Sequence, residues 1–221
     1  MKIVLFALCF IAGRVFALGW QEIVARSSGA IVHLEGLSVD GRDRMTGTGF
    51  FITSDGVLIT NRHMAESVPD GSLVAYSIFG ERLGSAKLEA DTVGTVDLAV
   101  MKVAVKKPVV YLSPHKWDSA QAGDSSVILG FPGNELTISK GSVGGFIDVD
   151  GKPLVELRAD VSYGSSGSPV LDTDGNVLGV VTGTVTGPNA LGQKIEVNYA
   201  EPIELATDMV SAVLHKIHPE R

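Results

Sequence analysis

The chain has 221 residues, 45% of them hydrophobic, 19% charged and 6% aromatic, an ordinary balance for a globular protein in water. Its 25 acids against 18 lysines and arginines give a formal net charge of −7. An acidic chain without a basic run argues against nucleic acid as the main partner. The length fits one or two domains, with all-β folds of this size often forming one, and leaves ample chain for a core.

The N-terminus reads as a secretory signal. Lys2 supplies the positive start, Ile3 to Ala12 the apolar stretch, and Val15-Phe16-Ala17 the site for cleavage after Ala17. Arg14 lies past the apolar core, and the stretch is too short for a membrane span, which takes about 20 apolar residues. The competing reading is a buried N-terminal strand. Cys9 is the only cysteine, and bulky Leu8 before it disfavours lipidation. Cleavage would leave a cysteine-free, secreted or periplasmic chain with no use for disulfides. Losing residues 1–17 removes Lys2 and Arg14 and takes the net charge to −9. No later apolar run approaches membrane length, so no membrane partner is expected after signal removal.

Gly19 to Arg26 is either a short helix or an arm. Strands follow at Ala30 to Leu34 and, after the charged loop Ser38 to Thr46, at Gly47 to Thr53. Ser54-Asp55-Gly56 is a hairpin turn, and the return strand Val57 to Thr60 runs into Asn61-Arg62-His63-Met64-Ala65. Further strands fall at Leu73 to Ile78, Arg82 to Glu89 and Leu98 to Val103. Lys106 to Gly123, with Pro108 and Pro114, reads as a connector. The strand pattern resumes at Ser125 to Gly130, Leu136 to Val149 (with three internal glycines) and Leu154 to Val161. It continues at Val170-Leu171, Val177 to Thr182 and Lys194 to Ala200, with the turn Thr173-Asp174-Gly175-Asn176 between. Only the tail is convincingly helical: Ile203, Ala206, Met209, Val210, Val213, Leu214 and Ile217 recur at three- and four-residue steps, and Pro202 suits a first turn. About a dozen short strands and one terminal helix predict an all-β barrel or sandwich protein. No internal repeat is evident.

The stretch Gly164-Ser165-Ser166-Gly167-Ser168-Pro169 lies between two apolar runs as a tight turn. Its glycines leave the Ser166 hydroxyl uncrowded and let backbone N–H groups turn toward one point. A serine hydroxyl attacks only if a base takes its proton and donors stabilise the oxyanion. Alone, the hexapeptide reads equally as a plain surface turn. His63, after a strand, and Asp97, directly before one, are each more often structural. Together they stand in the order His63, Asp97, Ser166, with the first two in one half of the chain and the serine in the other. That is the order of a serine protease with its site between two barrels.

Thr46-Gly47-Thr48-Gly49-Phe50, Leu58 to His63, Val96-Asp97-Leu98-Ala99-Val100 and Gly164 to Pro169 together resemble the motifs of trypsin-like serine proteases. The likeness is to the bacterial HtrA (Deg) and glutamyl-endopeptidase types. Leu129-Gly130-Phe131-Pro132-Gly133 and Asn198-Tyr199-Ala200-Glu201-Pro202-Ile203 are similar to two further family segments, so the resemblance covers roughly residues 22–214. It implies two six-stranded antiparallel β-barrels with a C-terminal α-helix. The barrels would lie at about 22–107 and 123–201, the connector at 108–122 and the helix at 202–218. It implies a serine endopeptidase acting on polypeptides without a cofactor or metal. Ser166 would be the nucleophile, His63 the base and then the acid, and Asp97 the residue that orients the imidazole. Gly164, Ser165 and Ser166 would form the oxyanion hole.

The chain also departs from the family pattern. It ends soon after the protease-like region, so no PDZ module is expected. Ser165 and Ser168 flank the nucleophile's turn where Asn and Gly are frequent. Asp160 stands six residues before Ser166: either it lines the base of a specificity pocket for Arg or Lys, or it is a structural acid moved in register. Thr182, Gly183 and Thr184 are candidate pocket walls. Three other readings are weaker. An α/β-hydrolase would need a glycine where Ser168 stands and a histidine after the serine outside the tail. A metal site would need paired ligands, which the five histidines (His33, His63, His115, His215, His218) lack. The last is a protease-like fold kept as a silent binding protein.

Overall fold

A computed structural model describes residues 19–38, 41–92, 94–113, 119–149, 151–188 and 193–219. The expected signal segment and Cys9 lie outside the described residues. Strands β1 (Ile31–Leu37), β2 (Arg44–Phe51), β3 (Val57–Thr60), β4 (Ser72–Tyr76), β5 (Arg82–Asp91) and β6 (Ala99–Val103) form one closed barrel in the order β1-β2-β3-β6-β5-β4. Strands β7 (Ser125–Gly130), β8 (Thr137–Val149), β9 (Lys152–Arg158), β10 (Pro169–Leu171), β11 (Val177–Pro188) and β12 (Lys194–Pro202) close a second. Its order, β7-β8-β9-β12-β11-β10, repeats the first barrel's connectivity. All the pairings are antiparallel, and β1 to β4 and β10 to β7 close the two circles. The sequence carries no matching repeat, because topology is kept by the inward and outward alternation of apolar residues rather than by their identity.

That alternation explains why several strands read as continuous apolar runs. Phe51, Leu58, Met101 and Val32 fill the first barrel, and Ile128, Val143, Val170 and Val181 fill the second. Their neighbours along the same strands (Phe50, Ile59, Val100, Val127, Leu129 and Val180) belong to a third cluster that joins both barrels. Strands such as β3 and β7 are therefore covered on both faces and have no polar side to show.

The undecided segment after Gly19 is helical: α1 (Trp20–Ser27) buries Ile23 completely in the shared cluster. A five-residue helix, α2 (Arg62–Glu66), follows β3. The tail begins with a 3₁₀ turn at Ile203–Ala206 and continues as α3 (Thr207–Ile217), which sets Val210 and Val213 into the same cluster.

His33 on β1 shows what burial at this junction does to a titratable group. Its ring is 6% exposed and stacks on Phe131 with centroids 5.0 Å apart. Its Nε2 meets Thr46 Oγ1 at 2.6 Å. Burial holds the imidazole below its ordinary value of 6.5, with Glu35 opposing and Arg44 reinforcing. The folded state thus favours the neutral ring. The corresponding stability is complete above the unfolded value and is lost as pH falls from there toward the lower folded one. In urea titrations the stability of the wild-type chain should drop, as pH falls below the ordinary histidine value of 6.5, by more than that of His33→Gln. Parallel pH curves for the two would exclude this role for His33.

Candidate active site

His63 is set by the junction of β3 and α2. Its backbone N–H donates to Asp97 Oδ1 at 2.9 Å and its Nδ1 to Oδ2 at 2.7 Å. Both carboxylate oxygens are therefore engaged by one residue, through backbone and ring. A ring that donates from Nδ1 carries, when neutral, its lone pair on Nε2. The His63 side chain is 41% exposed and that of Asp97 16%, so the carboxylate lies behind the ring and the ring faces the solvent.

Asp97 sits in the loop between β5 and β6, and this loop is tied at several points. Thr92 Oγ1 donates to the Val96 carbonyl at 2.6 Å and accepts from the Leu98 N–H at 3.1 Å. Arg62 Nη1 donates to the Thr92 carbonyl at 2.7 Å. The Asp97 carbonyl accepts from Asn61 Nδ2 at 2.9 Å. The Asp97 N–H donates to Glu201 Oε1 on β12, in the other barrel, at 3.1 Å.

Ser166 lies in the loop from Ala159 to Ser168 between β9 and β10. The first barrel grips this loop through Thr48, which is fully buried. The Thr48 N–H donates to the Ser166 carbonyl at 2.8 Å. The Thr48 hydroxyl donates to the Gly164 carbonyl and accepts from the Phe131 N–H, both at 2.9 Å. Two glycines make the close approach possible. Gly167 has φ +84°, and a Cβ there would lie 1.9 Å from the Thr48 carbonyl oxygen; Gly164 has φ +92°, and a Cβ would lie 2.3 Å from the Phe131 carbonyl. Any side chain at either position would displace the loop.

The three residues grouped for an oxyanion hole separate. Ser165 donates its N–H to the Ser162 carbonyl at 2.9 Å, inside the loop. The N–H groups of Gly164 and Ser166 make no hydrogen bond among the described residues. The Ser166 hydroxyl donates to the Thr182 carbonyl on β11 at 3.2 Å. No hydrogen bond among the described residues joins it to His63.

Of the candidate pocket residues, Thr182 borders Ser166 through its carbonyl, and its Oγ1 accepts from Asn61 Nδ2 at 3.2 Å; Gly183, next along β11, faces the ring of Tyr199. Thr184 is exposed and its hydroxyl donates to Asn198 Oδ1 at 2.7 Å. Asn198 Nδ2 in turn donates to the Ala159 carbonyl at 2.9 Å. Asp160 is exposed. It edges a recess of about 120 Å³ beside Pro132, Thr137 and Ser165 and an open surface shared with Lys140, Glu156, Arg158 and Glu196. It is not an acid enclosed at the bottom of a pocket.

Sequence reasoning did not single out Thr48, Glu201 or Lys152. The signal for Glu201 was available: an acid inside the apolar run Tyr199 to Ile203 needs a partner once buried. Lys152 carries no such signal, because a lysine beside a hairpin turn is ordinarily solvated.

Two barrels of repeated connectivity, with a histidine–carboxylate pair on one facing a serine turn on the other, define a chymotrypsin-like double-barrel fold. The chain belongs to the trypsin-like peptidase domain family, whose sequence profile matches residues 47–180. It is 30% identical over 200 residues to a protein of Chlamydia muridarum named "Probable periplasmic serine endoprotease DegP-like", covering 88% of this chain and 39% of that protein. A protein of Rhizobium meliloti with the same name is 33% identical over 182 residues, covering 78% of this chain and 34% of that one. The chain thus spans well under half the length of these relatives. Among solved structures, "HtrA-type protease AlgW with tripeptide" superposes with a TM-score of 0.73 at 21% identity, over 90% of this chain and 64% of that one. The serine endoprotease from Yersinia pestis superposes with a TM-score of 0.67 at 22% identity, over 90% and 68%. These last two likenesses concern the fold.

The Thr48 hydroxyl serves as both donor and acceptor in a dry junction. Thr48→Val should therefore strand the Gly164 carbonyl and the Phe131 N–H and lower stability by about 2–4 kcal/mol, read from urea unfolding. A loss below about 0.5 kcal/mol would mean that water or a rearranged loop replaces both bonds.

Proposed function

We propose that the chain is a secreted or periplasmic serine endopeptidase that hydrolyses peptide bonds of polypeptide substrates through a Ser166–His63–Asp97 triad. The observation that carries this reading is the double engagement of Asp97 by the backbone and ring of His63, opposite a serine turn with two N–H groups unpaired among the described residues. The names of the relatives support the reaction class and the compartment, and the signal-like residues 1–17 support export.

In this reading a substrate carbonyl carbon meets Ser166 Oγ. Nε2 of His63 takes the hydroxyl proton as the C–O bond forms, and the carbonyl oxygen becomes an oxyanion between the N–H groups of Gly164 and Ser166. Such donors are worth about 3–4 kcal/mol each in the transition state. Asp97 keeps the proton on Nδ1 and stabilises the imidazolium. The imidazolium returns its proton to the leaving amine as the C–N bond breaks, which leaves an acyl-enzyme. Water then repeats the sequence with the roles reversed, and releases the second product and the free serine. Every group is supplied by the chain and the substrate, so the reaction calls for no cofactor.

A second reading, a silent binding protein on a protease fold, draws on one observation: the Ser166 hydroxyl rests on Thr182 and not on His63. A serine-directed fluorophosphonate separates the two. The wild-type chain should be labelled at Ser166, with labelling lost in Ser166→Ala and His63→Ala, and Ser166→Ala should cut peptide turnover by about 10⁴-fold or more. A folded wild-type chain that is neither labelled nor active on unfolded polypeptides would leave the binding reading standing.

A further inference from the structure

Glu201 on β12 has no exposed surface. An isolated carboxylate there would be strongly unfavourable, and the structure supplies two partners. The Lys152 ammonium, at the start of β9, donates to Glu201 Oε1, and its side chain is only 11% exposed. The same Oε1 accepts the backbone N–H of Asp97 at 3.1 Å. Lys152 also donates to the Thr95 carbonyl, two residues from Asp97. Glu201 and Lys152 belong to the second barrel, and Asp97 and Thr95 to a loop of the first. The pair therefore bridges the barrels directly behind the carboxylate that holds His63. The second oxygen, Oε2, is buried without a hydrogen-bond partner among the described residues, so the site is not built to maximise the number of bonds to the carboxylate.

We propose that Glu201, neutralised by Lys152, is a positioning residue for Asp97: the pair clamps residues 95–97 onto the second barrel so that the Asp97 carboxylate stays aimed at His63. This rests on the reading of Asp97, His63 and Ser166 as a triad. Apolar side chains of similar volume commonly match a buried ion pair in stability, so stability alone does not account for it here. Geometry and charge do. The Asp97 N–H needs an acceptor at a fixed point, and an apolar residue offers none. A carboxylate alone would place a second negative charge beside Asp97, whereas an ammonium alone would compete with His63 for it. Together they add an anchor and no net charge.

The charged and titratable groups facing Glu201 are Lys152 from β9, Asp97 from the loop before β6, and Tyr199 from its own strand. Burial pushes the Glu201 carboxyl up and Lys152 pulls it back. Burial also pushes the Tyr199 phenol up, with Asp97 and Glu201 adding to the rise, so Tyr199 stays neutral and leaves the charge balance to the ion pair.

The test uses the full chain, a fluorogenic peptide and fluorophosphonate labelling across pH, with thermal melts as a folding control. Glu201→Leu removes the anchor and should lower kcat by about ten- to one-hundred-fold, with KM changed less than about two-fold. Glu201→Gln keeps an acceptor oxygen for the Asp97 N–H but leaves the Lys152 charge uncompensated. It should move the acid limb of kcat/KM to lower pH, because a nearby cation disfavours the imidazolium. Lys152→Met leaves the Glu201 charge uncompensated and should move the same limb to higher pH. Each shift should be about half a pH unit or more, and the double variant E201Q/K152M should return the limb to its wild-type place. A role limited to packing would not give opposite shifts that cancel. If Glu201→Leu keeps wild-type kcat, or if both single variants keep the wild-type limb, the clamp is refuted. Should Glu201→Leu fail to fold, the two charge variants decide alone. A wild-type chain that neither turns over peptide nor takes the label overturns the endopeptidase reading itself, whereas active wild type with unaffected variants overturns only this inference.

Discussion

The backbone of β2 and the serine turn meet in a short set of hydrogen bonds, and the relative placement of the two barrels is expressed there. The Thr48 N–H holds the Ser166 carbonyl, the Thr48 hydroxyl bridges the Gly164 carbonyl and the Phe131 N–H, and Thr60 Oγ1 donates to the Thr48 carbonyl at 2.7 Å. Every atom in the set is main chain or a threonine hydroxyl, so its geometry depends little on side-chain rotamers. Because β2 pairs with β3, and β3 runs directly into the helix that carries His63, a strand shift in the first barrel would move histidine and serine turn together. The junction sits on the apolar cluster shared by both barrels, which keeps water from competing for these bonds.

Charge is handled differently on the two sides of the site. In front, the His63 ring is partly exposed to solvent. Behind it lies the Glu201–Lys152 ion pair, whose opposite charges offset each other. Asn61 adds a second, uncharged link from the Asp97 carbonyl to Thr182 on β11. The Asp97 loop is thus tied to the second barrel at two points, one ionic and one not.

Much of the architecture was legible in the residues because the dominant signal is local. Apolar runs bounded by Gly, Asp and Asn turns gave strands such as β3 and β7 to the residue, and the three- and four-residue spacing gave α3. The His63, Asp97 and Ser166 motifs were legible because each combines a reactive residue with the small or apolar neighbours that expose it. Three features were not. The segment that becomes α1 is short, and the apolar side chain it buries completely, Ile23, joins a cluster drawn mostly from residues far along the chain, so tertiary packing decides it. The repeat of barrel topology leaves no trace, because it is a property of strand pairing and not of side chains. Lys152 looks like a solvated hairpin lysine until β9 and β12 are placed side by side. The role of Asp160 also depends on such placement: its offset from Ser166 fitted either a pocket-base acid or a structural acid moved in register, and it stands exposed, edging two recesses.

The hydrogen bond from Ser166 to the Thr182 carbonyl sets a threshold for the proposed chemistry, and its size can be judged. A neutral hydroxyl–carbonyl bond contributes about 0.5–1.5 kcal/mol net, and at 3.2 Å this one is longer than the usual 2.7–2.8 Å for O–H donors. Turning the hydroxyl to His63 exchanges it for a bond of comparable strength. The cost of leaving Thr182 is therefore small beside the roughly 8 kcal/mol or more by which enzymes lower their barriers. By contrast, the positions of the Gly164 and Ser166 N–H groups are fixed by the Thr48 clamp and by two glycines that accept no side chain. The N–H groups of the serine turn are thus held by contacts that are costly to rearrange, whereas the Ser166 hydroxyl is held by one long hydrogen bond.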